Sequence, residues 1–307
     1  MSKALTTTII SLSLLIYSLM LSSCSNAAGM SGRQAFVIYD GKGSVTTYSE
    51  MLDDISGYDV VLFGELHNDP ISHWLELSIA QDLYEICGDG LTIGAEMWER
   101  DNQLVLDEFL KDSLIDLGTY IENSRMWTNF ATDYLPVLQF ADEKDIPFVA
   151  TNVPRRYARM VSDRGLTVLD SLDQEAYNYL PPLPIEMDFD EKIYVYISEI
   201  FKNMSGMPSR KSDVRNLVEA QALKDACMAY FISKNMTDGG VFFHFHGELH
   251  SAYRSAIAFY LKKYAPGTRI ATISVMEAED PGRAKPEKGR ADYIIAVPQT
   301  MTKTYAE

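Results

Sequence analysis

The tetrapeptide Gly-Glu-Leu-His occurs twice in this chain of 307 residues, at 64–67 and again at 247–250, each time directly after a run of apolar residues. Imidazole and carboxylate groups brought together suit a divalent transition metal, and a carboxylate left over can act as general base. Two accounts fit the residues. Either the copies are ordinary loop chemistry after two strands, with each Glu a cap or dipole partner of the next helix, or His67 and His250 face one another across a single site.

The elements that carry these residues favour a shared location. "DVVLFGE" (59–65), "GLTIGAEMW" (90–98), "IPFVATNVP" (146–154), "GVFFHFHGE" (240–248) and "TRIATISVM" (268–276) are apolar runs of strand length, and segments with helical spacing lie between them. Asn68, Asp69 and Pro70 mark a helix start, followed by Ile71, Trp74, Leu75, Ile79, Leu83 and Ile86 on one face. Strands alternating with helices give an α/β fold, a mostly parallel sheet with helices on both faces. "AFVIYDGKGSVTTYSEML" (35–52) reads as an edge hairpin, and the stretch from about 155 to 237 reads as a helical insertion broken by "PPLP" and "GMP".

In such sheets ligands collect beyond the carboxyl ends of the strands. Those ends deliver Glu65 and His67, then Glu96, then Asn152 with Arg155 and Arg156, and last His244, His246, Glu248 and His250. The candidate metal ligands are therefore His67, His250, Glu65 and Glu96. In a hydrolase, Glu65 or Glu96 would activate water, and Asn152 or Arg155 would stabilise an oxyanion. His244 and His246, two apart, share one face of their strand. His73, in a helix beside Trp74, reads as solvated or core-edge packing. Gln221 and Asp225 are one helical turn apart beside an apolar stripe, either aimed at the strand-end cleft or a surface hydrogen-bonding pair.

The remaining composition narrows the class. Residues 1–23 carry Lys3, an apolar stretch and "LSSC", the pattern of a lipoprotein signal with Cys24 as the lipidated residue. Residues 24–34 then form a tether, and 35–307 a single domain. The formal net charge of −16 repels phosphate backbones, so no nucleic-acid partner is expected. Cys87 and Cys227 fit two buried thiols as well as a disulfide.

The set "VVLFGELHND", "LTIGAEMWER", "NFATDYLPVLQFADEKDIPFVATNVPRR", "LVEAQALKDACMAYFI" and "VFFHFHGELHSAYR" resembles the ChaN-like haem-binding lipoproteins of the wider Tiki and TraB group, over about residues 58 to 276. The resemblance implies a lipid-anchored protein of the bacterial cell envelope that binds haem for iron acquisition, as a homodimer enclosing stacked haems, with tyrosine ligation helped by histidine. Ser25, after the lipidated Cys, is not the acidic residue that retains some lipoproteins at the inner membrane, so the outer membrane is the expected address. Under that resemblance Tyr134, Tyr157 and His246 are the candidate haem contacts and Arg156 a propionate partner, while Tyr194, Tyr196, Met204 and Met207 could line an apolar groove. The wider Tiki group implies the second reading, a metal-dependent hydrolase built on the two GxxH motifs.

Overall fold

The computed structural model describes residues 33–111, 114–203 and 213–305. The signal segment, Cys24, most of the tether, and Met204 and Met207 lie outside the described residues.

The chain opens with β1 (Val37–Asp40) and β2 (Val45–Thr46), joined by a turn and paired antiparallel. The second strand is shorter than the sequence suggests. Thr47 and Glu50 form a reciprocal capping box, and "YSEMLDDI" becomes helix α1 (Tyr48–Ile55) with Met51 and Ile55 buried. The β-propensity of Thr and Tyr loses here to a start signal four residues long.

The βα alternation comes next. β3 (Val60–Glu65) leads into α2 (Pro70–Cys87), whose N-cap Asp69 accepts from the backbone N–H groups of Ile71 and Ser72. β4 (Leu91–Glu99) is followed by α3 (Gln103–Leu110), α4 (Leu117–Asn123) and a one-turn π-helical segment at Phe130–Tyr134 that enters α5 (Leu135–Glu143). After β5 (Phe148–Asn152) come α6 (Arg155–Arg164), α7 (Lys192–Asn203) and α8 (Val214–Asn235). Then come β6 (Val241–Gly247), α9 (Ile257–Tyr264), β7 (Ile270–Ala278) and β8 (Tyr293–Pro298).

The eight strands form one sheet in the order β2-β1-β8-β7-β3-β6-β4-β5. From β8 to β5 all neighbours are parallel, and β1 is antiparallel to β8. β8, "YIIAVP", carries no helix after it and is not among the expected strands. It joins the hairpin to the parallel sheet, so the hairpin does lie at the edge.

Alternation along the strands sorts side chains into two cores. Val61 and Phe63 of β3, Phe243 and Phe245 of β6, and Ile93 and Ala95 of β4 pack with α2 and α5 on one face. Val60, Leu62 and Phe242 pack with α8 and α9 on the other. By the same period Glu65 belongs to the α2 face, whereas Glu96, His244 and His246 belong to the α8 face. Helices therefore cover both faces, and the two strand-end carboxylates start on opposite sides of the sheet. No helix among the described residues is long and apolar enough to cross a membrane.

Candidate functional site

β6 sits between β3 and β4, so both Gly-Glu-Leu-His copies leave the sheet side by side. Each motif's glycine is the place where the other motif comes closest. A Cβ on Gly64 would lie 2.9 Å from the Cα of Glu248, and one on Gly247 would lie 2.7 Å from His67 Nε2. Neither contact leaves room for a side chain.

From that crossing a cavity of about 670 Å³ opens over the strand ends. Glu65, His67, Glu96, Lys224, His250 and Lys303 supply its polar lining, and Trp127, Ile197, Ile200, Phe201 and Leu249 its apolar wall. All four residues read as metal ligands thus line one cavity. Their partners differ on its two sides.

On the α8 side His250 is held by two carboxylates. Nδ1 is 2.5 Å from Asp225 Oδ1 and Nε2 is 3.2 Å from Glu96 Oε1. Carboxylates only accept, so both ring nitrogens donate and the ring is an imidazolium. Burial alone would lower its pKa; the charges of Glu96 and Asp225 and their hydrogen bonds raise it to about 10. Glu96 is held well below the usual carboxylate range, against its burial, by His250 and by Lys224. Asp225 is pushed up by burial even with His250 beside it. Gly247 N–H donates to Glu96 Oε2 at 2.9 Å, and Tyr194 donates to Asp225 at 2.8 Å.

Beneath lies the pair His244 and His246, fully buried, with Nδ1 atoms 3.0 Å apart. Thr151 donates its hydroxyl hydrogen to the Ala95 carbonyl, so His244 Nε2 donates to Thr151 at 2.7 Å. His246 Nδ1 then donates to His244, and its unpartnered Nε2 carries the lone pair. Burial brings the His246 pKa down to about 3.

On the α2 side His67 Nδ1 lies 2.6 Å from Glu65 Oε1, which also accepts from Tyr134 at 2.7 Å. Desolvation works against a proton on His67, and the hydrogen bond and charge of Glu65 outweigh it, raising the pKa. The His67 side chain is 30 % exposed and its ring stands 4.9 Å from that of Trp127. Behind Glu65 are His73, Glu76, Asn129 and Asp133, all buried. Burial and the Glu65 charge push Glu76 well above the usual range. Glu65 is lowered to about 2, against its burial, by its neighbours Glu76, His67 and His73.

The remaining expected residues lie elsewhere. Asn152 donates to the Glu96 carbonyl at 2.9 Å, and Arg155 is tied to Glu99 at 2.6 Å. Both line a smaller adjoining pocket of about 270 Å³ that shares Glu96, Trp127 and Lys224 with the main cavity. Arg156 pairs with Asp101 and stacks on Tyr157, a buried residue of α6. Tyr134 is fully buried, its ring stacked with that of Phe245. Arg156 and Tyr157 meet each other but neither meets Tyr134 or His246, and none of the four lines the main cavity. Tyr194 is buried and Tyr196 exposed. Cys87 and Cys227 are free thiols. Of the two readings of His73, the solvated one fails and the core-edge one holds: it is buried, edge-on to the Tyr134 ring, at the centre of a carboxylate cluster. The readable signal is Glu76, a charged residue on the stripe of Ser72, Leu75, Ile79 and Leu83 that α2 buries. Lys224 and Lys303 carry no signal in the sequence, being ordinary surface types until the fold places them, and nothing in the sequence around Trp127 assigns it to the cavity.

The solved structure of the Campylobacter jejuni protein described as "Cofacial heme binding to ChaN" superposes with a TM-score of 0.65 at 17 % identity, covering 85 % of this chain and 96 % of that one. The type III effector HopBA1 and a Bacillus cereus protein each give a TM-score of 0.43, at 13 % and 12 % identity, over 81 % of this chain and 91 % and 90 % of theirs. No curated protein sequence matches. The family model described as "Haem-binding uptake, Tiki superfamily, ChaN" matches residues 51–261. That span is most of the chain and includes both Gly-Glu-Leu-His motifs, and the chain belongs to this haem-binding family.

Proposed function

We propose that this protein binds haem in the strand-end cavity, with His67 offered to the iron and Lys224 and Lys303 to the propionates. Haem supplies an iron centre that needs an axial donor, a broad apolar face and two carboxylates that need cations. The lining carries an imidazole, an apolar wall and two lysines, which pair with Glu96 and with Asp69 and Glu277 and would exchange those partners for the propionates. Trp127, Ile197, Ile200, Phe201 and Leu249 form the apolar wall, and the volume falls within the roughly 300–1,000 Å³ usual for cofactor sites.

The observation that carries this reading is the state of His67. It is the most exposed of the chain's five imidazoles, and Glu65 occupies its Nδ1, which leaves Nε2 as the ring atom free to bind. A carboxylate behind a ligating histidine fixes its orientation and strengthens it as a donor. The resemblance implied tyrosine ligation, but no tyrosine among the described residues lines this cavity.

The wider role completes the proposal. Cys24 carries lipid and holds the domain at the envelope, most simply the outer membrane, where captured haem serves iron acquisition. A homodimer closes over the ligand, and the exposed Val195 and Tyr196 on α7 beside Ile197 offer it an apolar rim.

Titration with ferric haem at micromolar concentration tests the site. The expected result is a saturable shift of the Soret band, weakened at least tenfold in His67→Ala and unchanged in Tyr157→Phe. No shift in the wild type, or a His67→Ala titration that overlays it, removes the reading.

A further inference from the structure

We propose that Glu65, His73 and Glu76 hold a divalent transition-metal ion of the zinc or manganese class, in a closed site behind the haem cavity with Glu65 as the wall between them. Their ligand atoms all lie within 4.8 Å of one another. His73 Nδ1 is 3.2 Å from Glu76 Oε2 and 3.7 Å from Glu65 Oε2. Bonds of about 2.0–2.2 Å in a tetrahedral shell place neighbouring ligand atoms roughly 3–4 Å apart, so the spacing is that of a coordination sphere.

Three further observations point the same way. First, Glu65 Oε2 and Glu76 Oε1 are buried and have no hydrogen-bond partner, although an unpaired buried carboxylate oxygen is strongly unfavourable. Second, His73 is oriented as a ligand would be: Nε2 lies 3.1 Å from the His67 carbonyl, which can only accept, so that nitrogen carries a hydrogen and Nδ1 is the atom turned to the two glutamates, where an ion would take the place of the hydrogen shared with Glu76. Asp133 Oδ2, 3.3 Å from the same Nε2, completes the carboxylate–histidine arrangement found behind bound metals. Third, among the described residues no lysine or arginine pairs with Glu65, Glu76 or Asp133, and only the imidazoles of His67 and His73 stand against them. One nitrogen and two carboxylates suit zinc, manganese or ferrous iron better than magnesium or calcium.

The ion would join the exit of β3 to the first turns of α2, and so stiffen the base on which His67 stands. The site competes with a simpler occupant, a proton shared by the two glutamates, and experiment separates them. The full chain is purified without chelator, freed of haem, and analysed for metals, then reconstituted with Co²⁺ and examined for visible d–d bands. About one equivalent of zinc or manganese per chain is expected, with cobalt bands in the wild type. Glu76→Gln, nearly isosteric, loses both; Asp133→Asn weakens the metal about 10- to 100-fold; His67→Ala retains it. If Glu76→Gln does not fold, His73→Gln serves in its place. Wild-type protein with less than a tenth of an equivalent and no cobalt bands, or a Glu76→Gln occupancy equal to wild type, overturns the site in favour of the shared proton. The haem titration is independent: a metal present with no Soret shift sinks the haem reading and leaves this one standing.

Discussion

The two Gly-Glu-Leu-His copies have the same four residues, come after the same kind of strand and end in opposite states. In the first, Glu65 turns inward and His67 opens on the cavity. In the second, Glu248 is paired with Arg290 at 2.7 Å and accepts from the Ser274 hydroxyl at 2.7 Å, while His250 is buried as an imidazolium between Asp225 and Glu96. The surroundings of each copy make the difference. Asp69 and Pro70 start α2 at once, and His67 stands in a short half-buried loop. His250 is gripped from α8 and β4 by Asp225 and Glu96, and after it the backbone takes positive φ at Tyr253, Arg254 and Ala256 before α9 begins. A motif therefore fixes which groups arrive at a strand end, and the neighbouring elements fix their ionisation and access.

The contrast can be broken hardest from the buried side. Asp225→Ala would leave a desolvated imidazolium with one partner, a loss of about 3–5 kcal/mol in urea unfolding, whereas truncating the exposed His67 costs well under half of that.

A pH series sharpens the same comparison. The His250 pKa is raised from an ordinary value near 6.5 to about 10, so its stabilisation is fully present below about pH 6.5 and is lost as pH rises through 10. With about 1.36 kcal/mol per unit, wild type should lose up to roughly 4 kcal/mol across that window relative to His250→Gln, as read from paired urea midpoints at pH 6, 8 and 10. Equal slopes would show that His250 is not the charged member of the pair.

The smallest effect comes from the glycines, and it too is unequal. Gly64→Ala drives a methyl group into the Glu248 backbone and should cost about 1–3 kcal/mol, while Gly247→Ala meets only the movable His67 ring. The second change should cost less stability and lower haem affinity more. Similar losses from both would show that the two motifs do not interlock.

The five strands β3 to β7 were legible because parallel strands buried on both faces are continuous apolar runs, and because their carboxyl ends share one crevice, Glu65, His67, Glu96 and His250 could be named before the fold was known. β8 was not legible, being six residues after a long polar loop, and α1 was hidden behind Thr and Tyr. The metal-type cluster escaped for a tertiary reason. A histidine and a glutamate three apart on a helix look solvated, and only the π-helical turn carrying Asp133 and Tyr134 closes over them. Tyr134, Tyr157 and His246 are eligible haem contacts by residue type, and the sequence does not show that the fold buries all three away from the lining of the main cavity.

The place of β6 between β3 and β4 also bears on how the molecule is made. Both sheet neighbours of β3, β6 and β7, lie far downstream, so β3 has no strand to pair with while residues 66–240 are being synthesised. Among the described residues β4 and β5 are the only early parallel pair. The cavity thus comes into being at a single late event, the insertion of β6 into the gap, and until then two apolar strand edges stay open to wrong partners. For a protein that must keep its apolar strands from misassembling until residues 241–247 have been made, protection during biogenesis is as much a requirement of this fold as the site it builds.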